Sequence, residues 1–176
     1  SVKVWDLATE NCVRTLPCDA PSRFVTVSPD GKTIAAGNDR GWIHIWETDT
    51  GIPRQRFFGR TRGGWCLAFS PDGARLALAG DDLLVHVWEA ATGRWLKSLD
   101  AGGMMRSVGC VAFSPDGQYI AAGGWHRPVR IWDAKTYDLV RSLGDHIDEI
   151  RGLAFSRDGK RLATASFDGT IKVWAF

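Results

Sequence analysis

The sequence lacks long hydrophobic runs. None of its apolar stretches approaches the roughly 20 residues that a membrane-crossing helix needs. Its first residues also lack the charged segment, the apolar segment and the cleavage site of a secretory signal. We therefore expect a chain that has no membrane partner.

The chain also lacks an excess of charge of either sign. Its 22 Lys and Arg residues nearly balance its 20 Asp and Glu residues, which gives a formal net charge of +2, and the two signs are interspersed without a basic block. Proteins that bind nucleic acid usually concentrate Lys and Arg on one face or in one run. The charge pattern therefore predicts no nucleic-acid partner.

Cysteine is scarce, and its spacing suggests no pairing. The sequence has no Cys-x-x-Cys pair and no zinc-like grouping with histidine among its four cysteines, Cys12, Cys18, Cys66 and Cys110. Two of them stand in the apolar stretches GWCLAF and GCVAF, where a thiol usually behaves as a small buried hydrophobe. The sequence therefore predicts free thiols, no metal and no cofactor. Free thiols favour a reducing compartment, so we expect a cytoplasmic protein.

No stretch shows the 3.6-residue period of an amphipathic helix, and the sequence contains a longer repeat instead. The pattern V/I-x-V/I-W ends in tryptophan at five places 41 to 44 residues apart, which are Trp5, Trp46, Trp88, Trp132 and Trp174. Ser-Pro-Asp-Gly stands at residues 28–31, 70–73 and 114–117, and Ser-Arg-Asp-Gly stands at 156–159. Two independent markers thus share one period, which indicates a repeat architecture.

Each repeat unit consists of about four short stretches rich in β-branched and aromatic residues, separated by turn residues, which is typical of strands. Within Ser-Pro-Asp-Gly, proline suits the second position of a type I turn and glycine suits the fourth. Stretches such as LALAG and IAAGG are apolar at successive positions, as expected for strands covered on both faces. Small sheets that stack radially are covered in this way. The pattern therefore predicts an all-β propeller rather than an open sandwich.

The recurring pattern GxxxFSPDGxxxAxG, followed by V-x-V/I-W-D/E, resembles the WD-repeat β-propeller family along essentially the whole chain. Two of the five tryptophans are followed by the signature aspartate, at residues 5–6 and 132–133, whereas two are followed by glutamate and the last by alanine. The resemblance implies four-stranded antiparallel blades whose strands, called a to d, run outward from a central channel. The tryptophan then ends strand c.

This alignment makes residues 1–176 a single propeller domain of about four repeats. Strands c and d of a first blade, three full blades, and strands a to c of a last blade are expected at residues 1–16, 23–58, 64–99, 108–143 and 150–176. The chain then holds one strand more than a closed four-bladed ring needs. Three arrangements are open: a part of a longer array, an open arc that assembles with other chains to complete a ring, and a small ring with a spare strand. We expect an arc or fragment of a larger ring, with self-assembly as one way to cover its exposed faces.

The last unit holds His146, Thr164, Asp168 and Trp174, which invites comparison with a hydroxyl–His–Asp nucleophilic triad. In the WD-repeat family, residues with this spacing look like a structural tetrad in which buried polar groups satisfy one another. The resemblance therefore implies a brace in the last blade and no catalytic residues.

The other units differ from this tetrad. At the aspartate position they carry Arg40, Asp82 and His126, and the hydroxyl position is apolar in all three. Their blades are therefore expected to rely on apolar packing. Two histidines, His44 and His86, occupy equivalent places on strand c where other copies carry Lys or Arg, so we interpret them as polar blade positions rather than metal ligands.

Large or charged residues also stand where the repeat does not require them. At the start of strand a the aligned units carry Arg23, Trp65, Gly109 and Arg151. Just before the tetrad-aspartate position they carry Asp39, Asp81, Trp125 and Phe167. In the WD-repeat family both places look out on the top face of the ring, where partners bind. Arg106 lies near them in a long connection between strands d and a.

Aromatic and arginine side chains on rigid loops are the residue types that dominate interface hot spots. The sequence therefore predicts a non-catalytic interaction scaffold whose top face binds a protein or peptide partner. Three alternatives stay open: Trp65 and Trp125 plug the channel or pack between blades, the chain is the regulatory or sensory portion of a larger enzyme such as a kinase or signalling NTPase, or it is a hydrolase that uses His146 and Asp168. The last alternative needs an oxyanion hole and a cleft, and no motif announces them.

Overall fold

The computed structural model of the chain describes residues 1–61, 63–102, 107–125 and 128–175. These residues form 17 strands arranged in five antiparallel sheets. No helix occurs among them, and hence none that is long and apolar enough to cross a membrane. The prediction of an all-β fold with four-stranded antiparallel blades is confirmed.

The strands follow one another in chain order within each sheet. The first sheet has two strands, β1 (Val2–Trp5) and β2 (Cys12–Leu16). The next has β3 (Ser22–Val27), β4 (Thr33–Asn38), β5 (Trp42–Glu47) and β6 (Pro53–Phe58). The third has β7 (Gly64–Phe69), β8 (Arg75–Gly80), β9 (Leu84–Glu89) and β10 (Trp95–Asp100). The fourth has β11 (Val108–Phe113), β12 (Tyr119–Gly124), β13 (Val129–Asp133) and β14 (Leu139–Leu143). The last has β15 (Ile150–Phe155), β16 (Arg161–Ser166) and β17 (Ile171–Ala175).

The Ser-x-Asp-Gly turns join the first two strands of a sheet by a fixed set of hydrogen bonds. In the turn between β3 and β4, the Ser28 hydroxyl donates to Asp30 at 2.6 Å, and Gly31 adopts a φ of 73°. The turn between β15 and β16 has no proline, yet Ser156 donates to Asp158 at 2.6 Å. The serine and aspartate side chains therefore hold this turn without the pre-set φ that proline supplies.

The sheets stack side by side, with their first strands innermost. Strands β3, β7, β11 and β15 contact one another in that order. Between successive sheets lies an apolar core, to which the third strand of each sheet contributes two β-branched residues. These residues are fully buried in three sheets: Ile43 and Ile45, Val85 and Val87, and Val129 and Ile131. Alanines on the second strands, such as Ala35 and Ala77, let the sheets approach closely.

The stack leaves an apolar face uncovered at its last sheet, and at the other end of the arc Val25 and Val27 of β3 are also more than half exposed. Ile171 and Val173 hold the same positions on β17 as the buried pairs hold on β5, β9 and β13, but they are 74% and 65% exposed. In the described part of the chain the five sheets do not close into a ring. The arrangement is an open arc of propeller blades.

The four cysteines are free, as the sequence predicts. Burial between sheets raises the pKa of the Cys110 thiol to about 12, and burial also raises the pKa of Cys66. A thiol reacts as its thiolate, so we expect these two cysteines to react slowly with alkylating reagents at neutral pH.

Candidate interaction site

The innermost strand of each of the last four sheets carries a β-bulge at its beginning. The pairing register shifts around one residue in each of these strands, and those residues are Arg23, Trp65, Gly109 and Arg151. A bulged residue is left out of the regular alternation, so its side chain can be directed away from the sheet faces. The fold therefore presents these four positions at one edge of the stack.

The turns between the second and third strands lie at the same edge. In all four sheets the backbone N–H of one turn residue donates to the carbonyl two residues before the bulge. The donors are Asp39, Asp81, Trp125 and Phe167, and the acceptors are Pro21, Gly63, Ser107 and Glu149. We call the four bulge residues and the four donor residues the rim. The structure thus brings together eight of the sequence positions considered, whereas Arg106 lies outside the described residues.

Trp65 is the centre of the rim. Its indole N–H donates to the Asp81 carboxylate. The guanidinium carbons of Arg23 and Arg151 lie 5.9 and 5.5 Å from its ring centroid. Cation–π contacts of this length are attractive, so the ring and the two cations hold one another in place.

Arg151 is held on two further sides. Its guanidinium carbon lies 5.3 Å from the centroid of Phe167. Its Nε forms an ion pair with Glu149 Oε2 at 3.0 Å, and the Glu149 side chain is only 1% exposed. The angle of this contact is unsuitable for a hydrogen bond, and Oε2 accepts none within the described residues. A buried carboxylate needs a charge partner, so Glu149 fixes the position of Arg151 by electrostatic attraction.

A cavity of about 400 Å³ lies within the rim, lined by Trp65, Asp81, Ser107, Trp125 and Arg151. Its walls come from three successive sheets, those of Trp65, Trp125 and Arg151. Gly109 does not line the cavity: a Cβ at this position would lie 3.0 Å from the carbonyl oxygen of Ile150, so the glycine allows the close approach of β11 and β15.

A second cavity, of about 370 Å³, lies at the opposite edge, where the Ser-x-Asp-Gly turns are. Three of the four charged residues that line it already have partners: Arg54 pairs with Glu47 at 2.7 Å, and Asp30 accepts from Ser28 at 2.6 Å. This cavity therefore offers a ligand less unmatched hydrogen-bonding capacity than the rim does.

The four residues of the sequence-derived tetrad meet in the last sheet. The Trp174 indole donates to the Thr164 hydroxyl at 3.0 Å. The two ring nitrogens of His146 lie 2.8 Å from that hydroxyl and 2.7 Å from Asp168 Oδ2. If His146 carries its proton on Nδ1, each donor in this chain meets one acceptor. The geometry is that of a buried brace between β16, β17 and the segment before β15.

The Asp168 carboxylate is strongly stabilised as the anion. The Thr170 hydroxyl, which donates to it at 2.6 Å, and then His146 hold the pKa of Asp168 well below its ordinary value of 3.8. Since the folded pKa is lowered, this carboxylate contributes stability above pH 3.8, and that contribution is lost as the pH falls through the folded pKa.

The expectation that the other sheets rely on apolar packing alone is wrong for two of them. His86 contacts Asp82 at 2.6 Å and Ser98 at 2.7 Å, and His44 contacts Asp19 at 3.0 Å. These histidines stand on the third strand, whereas His146 precedes the first strand, so an alignment on the tetrad overlooks them. The same residue types therefore brace three sheets in two different arrangements.

Within the described residues no cluster of His, Cys, Asp and Glu could hold a metal ion. The tetrad is also poorly placed for nucleophilic chemistry, because the Thr164 side chain is buried and already engaged by His146 and Trp174. A catalytic hydroxyl needs a position next to it for the reacting carbon.

The sequence did not single out Glu149 and Ser107 as site residues. Both occupy the position two residues before the bulge, where the other units carry Pro21 and Gly63. Extending the alignment of the units two residues upstream of strand a would have found them.

Comparison with known proteins identifies the repeat. The profile of the family described as "WD domain, G-beta repeat" matches residues 10–47, 54–89, 97–133 and 137–175. Each match begins near the last strand of one sheet and ends with the third strand of the next, so the sequence repeat is offset from the sheet by one strand. A search of the curated proteins found no match. Because the four matches together cover most of the chain, the chain belongs to the WD-repeat family.

Proposed function

We propose that this chain is a non-catalytic scaffold whose rim binds a protein or peptide partner. WD repeats generally mediate protein–protein interaction, and the observation that carries the proposal here is the set of bulges. At one edge of the arc they present arginine and tryptophan, the residue types enriched at hot spots.

The exposure of the rim supports binding over packing. Trp65 is 38% exposed and Phe167 is 64% exposed, although the core of the arc is filled by other residues. The cation–π contacts and the Glu149–Arg151 ion pair order these side chains before any partner arrives. Side chains that are already ordered lose less entropy on binding, which raises affinity.

Replacing Trp65 by alanine is expected to weaken partner binding by about 30-fold or more, the effect of losing a hot-spot residue worth about 2 kcal/mol. The measurement is quantitative affinity capture of partners, followed by titration of the captured partner against wild type and variant. Trp95→Ala is the matched control, because Trp95 is similarly exposed, at 44%, but stands at the opposite edge of its sheet.

Unchanged binding by Trp65→Ala, with the variant folded, would contradict the assignment of the rim. Equal losses in Trp65→Ala and Trp95→Ala would contradict it as well, because they would indicate a general loss of exposed aromatic surface.

We also propose that the uncovered face of the last sheet takes part in self-assembly. In the other sheets the equivalent residues of Ile171 and Val173 are covered by the next blade. The last blade of a second copy exposes the same apolar residues, so two copies can cover each other's faces. Light scattering during size-exclusion chromatography is expected to give a mass of twice 19.4 kDa at high concentration. A constant monomer mass over the accessible concentration range would exclude self-assembly.

A further inference from the structure

The guanidinium of Arg151 is held in place, yet its terminal nitrogens have no hydrogen-bond acceptor among the residues that the structure describes. Its Nε faces Glu149, and its plane lies near Trp65 and Phe167. Within the described part of the chain, no acceptor takes a hydrogen bond from the terminal nitrogens, and the side chain is 43% exposed at the wall of the rim cavity. The group is therefore an oriented fork of donors next to an open space.

Arg23 adds a second cation at the same tryptophan. It is exposed and contacts the ring of Trp65, and it has no ion pair among the described residues. Two guanidinium groups thus stand near one indole, and no carboxylate of the described residues pairs with their terminal N–H groups.

The carboxylates around the cavity are already engaged. Asp81 accepts the indole N–H of Trp65, and its other oxygen lies against Gly63. Glu149 is buried beneath Arg151 and paired with it. Glu149 cannot receive a ligand cation without losing Arg151, and a cation at Asp81 would stand beside Trp65, whose ring already contacts two arginines.

These contacts favour an anionic ligand over a cationic one. A ligand cation would have to displace Arg151 from Glu149 or compete with two arginines for the ring of Trp65. An anion would meet donors already held in position, and a planar fork matches a carboxylate or phosphate with two parallel hydrogen bonds. Binding then requires little rearrangement of the protein.

We propose that the cavity beside Arg151 binds an oxyanion, a carboxylate or a phosphate, carried on a side chain of the peptide partner; this inference rests on the proposed function of the rim. Ser107, also in the wall of the cavity, supplies a hydroxyl that can donate to the same group. Trp65 and Trp125 cover the apolar part of the ligand side chain.

The test uses the full chain labelled with ¹⁵N and four blocked hexapeptides that differ only in their two central residues: Glu, phosphoserine, Gln or Lys. Each is titrated at low salt while the indole N–H signals of Trp65 and Trp125 are followed by NMR. The Glu and phosphoserine peptides are expected to shift these signals to saturation. The Gln peptide should bind about 10-fold or more weakly, because hydrogen bonds to a charged group are lost. Added salt should weaken binding of the acidic peptides.

The variants separate recognition from folding. Arg151→Lys retains a cation opposite Glu149 but removes the fork, and it is expected to lose most of the preference for acidic peptides. Arg23→Gln changes an exposed side chain and should weaken the binding of the acidic peptides by a smaller factor than Arg151→Lys does. Arg94→Gln removes an exposed arginine at the opposite edge and should leave the affinities for the Glu and phosphoserine peptides unchanged.

Tighter binding of the Glu peptide than of the phosphoserine peptide would identify a carboxylate, and the reverse would identify a phosphate; either supports the proposal. A Lys peptide that binds as tightly as the acidic ones would overturn it, as would unchanged binding in Arg151→Lys and Arg23→Gln or an absence of any response. If a partner still depends on Trp65 while acidic peptides do not bind, the rim remains the interaction site and only the oxyanion assignment fails.

Discussion

Replacing Ile43 by alanine is expected to lower the free energy of unfolding by about 2 to 5 kcal/mol. Ile43 is fully buried on β5, where it packs between its own sheet and the next one. Its removal costs the transfer energy of the lost atoms and leaves a cavity, because tightly packed sheets relax only partly. Urea denaturation of wild type and variant measures the change.

Ile171→Ala is the matched control, since the same residue type stands at the same position of the last sheet but is 74% exposed. At concentrations where the chain is monomeric, this variant should change stability by no more than about 0.5 kcal/mol. A larger loss that appears only at high concentration would show that another copy covers this face. Equal losses in both variants under dilute conditions would contradict the open arc.

Replacing His146 by alanine is expected to destabilise the chain by at least about 1 to 3 kcal/mol, the cost of leaving one buried polar group unsatisfied. Two groups lose one partner each: the Thr164 hydroxyl loses its acceptor on His146, and the Asp168 carboxylate loses the imidazole but keeps Thr170. Thermal and urea unfolding measure the effect. His44→Ala serves as the control, because its partner Asp19 is more exposed and retains Arg56, so the loss should be smaller.

The stability that the Asp168 carboxylate contributes should decrease as the pH is lowered. Because the pKa of Asp168 is lowered in the folded state, the wild type should lose part of its stability as the pH falls below the ordinary value of 3.8. In Asp168→Asn the contribution of this carboxylate to stability is absent at every pH. The difference in free energy of unfolding between wild type and variant should therefore shrink on acidification. A difference that stays constant from neutral to acidic pH would show that the charge of Asp168 contributes nothing to the brace.

The sequence was sufficient to predict the architecture because the information is repeated. The tryptophan-ended strands and the Ser-x-Asp-Gly turns recur with one period, and every recurrence constrains the same sheet. The tetrad was visible for the same reason, since its spacing follows from the strand and turn lengths of one unit. Side-chain contacts between sheets have no such signal. The contact of Arg151 with Trp65 joins sheets that are not neighbours in the arc.

Two further features of the structure could not be predicted from the sequence. The histidine braces of two sheets use a residue on the third strand, and a sequence pattern cannot distinguish this histidine from the Lys or Arg found there in other units. The bulges depend on backbone register, which a strand-like stretch does not reveal because its side chains are apolar on both faces.

The bulges also bear on how such a protein can change over time. A bulge residue that is exposed and has no buried charge partner, such as Arg23 or Trp65, contributes little to the packing between blades, so its substitution should leave the stability of the array largely unaffected. The four equivalent positions have accordingly come to hold Arg23, Trp65, Gly109 and Arg151 on one scaffold. Positions 23 and 65 are thus sites at which natural or laboratory evolution can alter ligand preference with little effect on the fold, whereas Arg151 faces the buried Glu149 and Gly109 lies against β15. A library randomised at positions 23 and 65 would be a compact starting point for new binders.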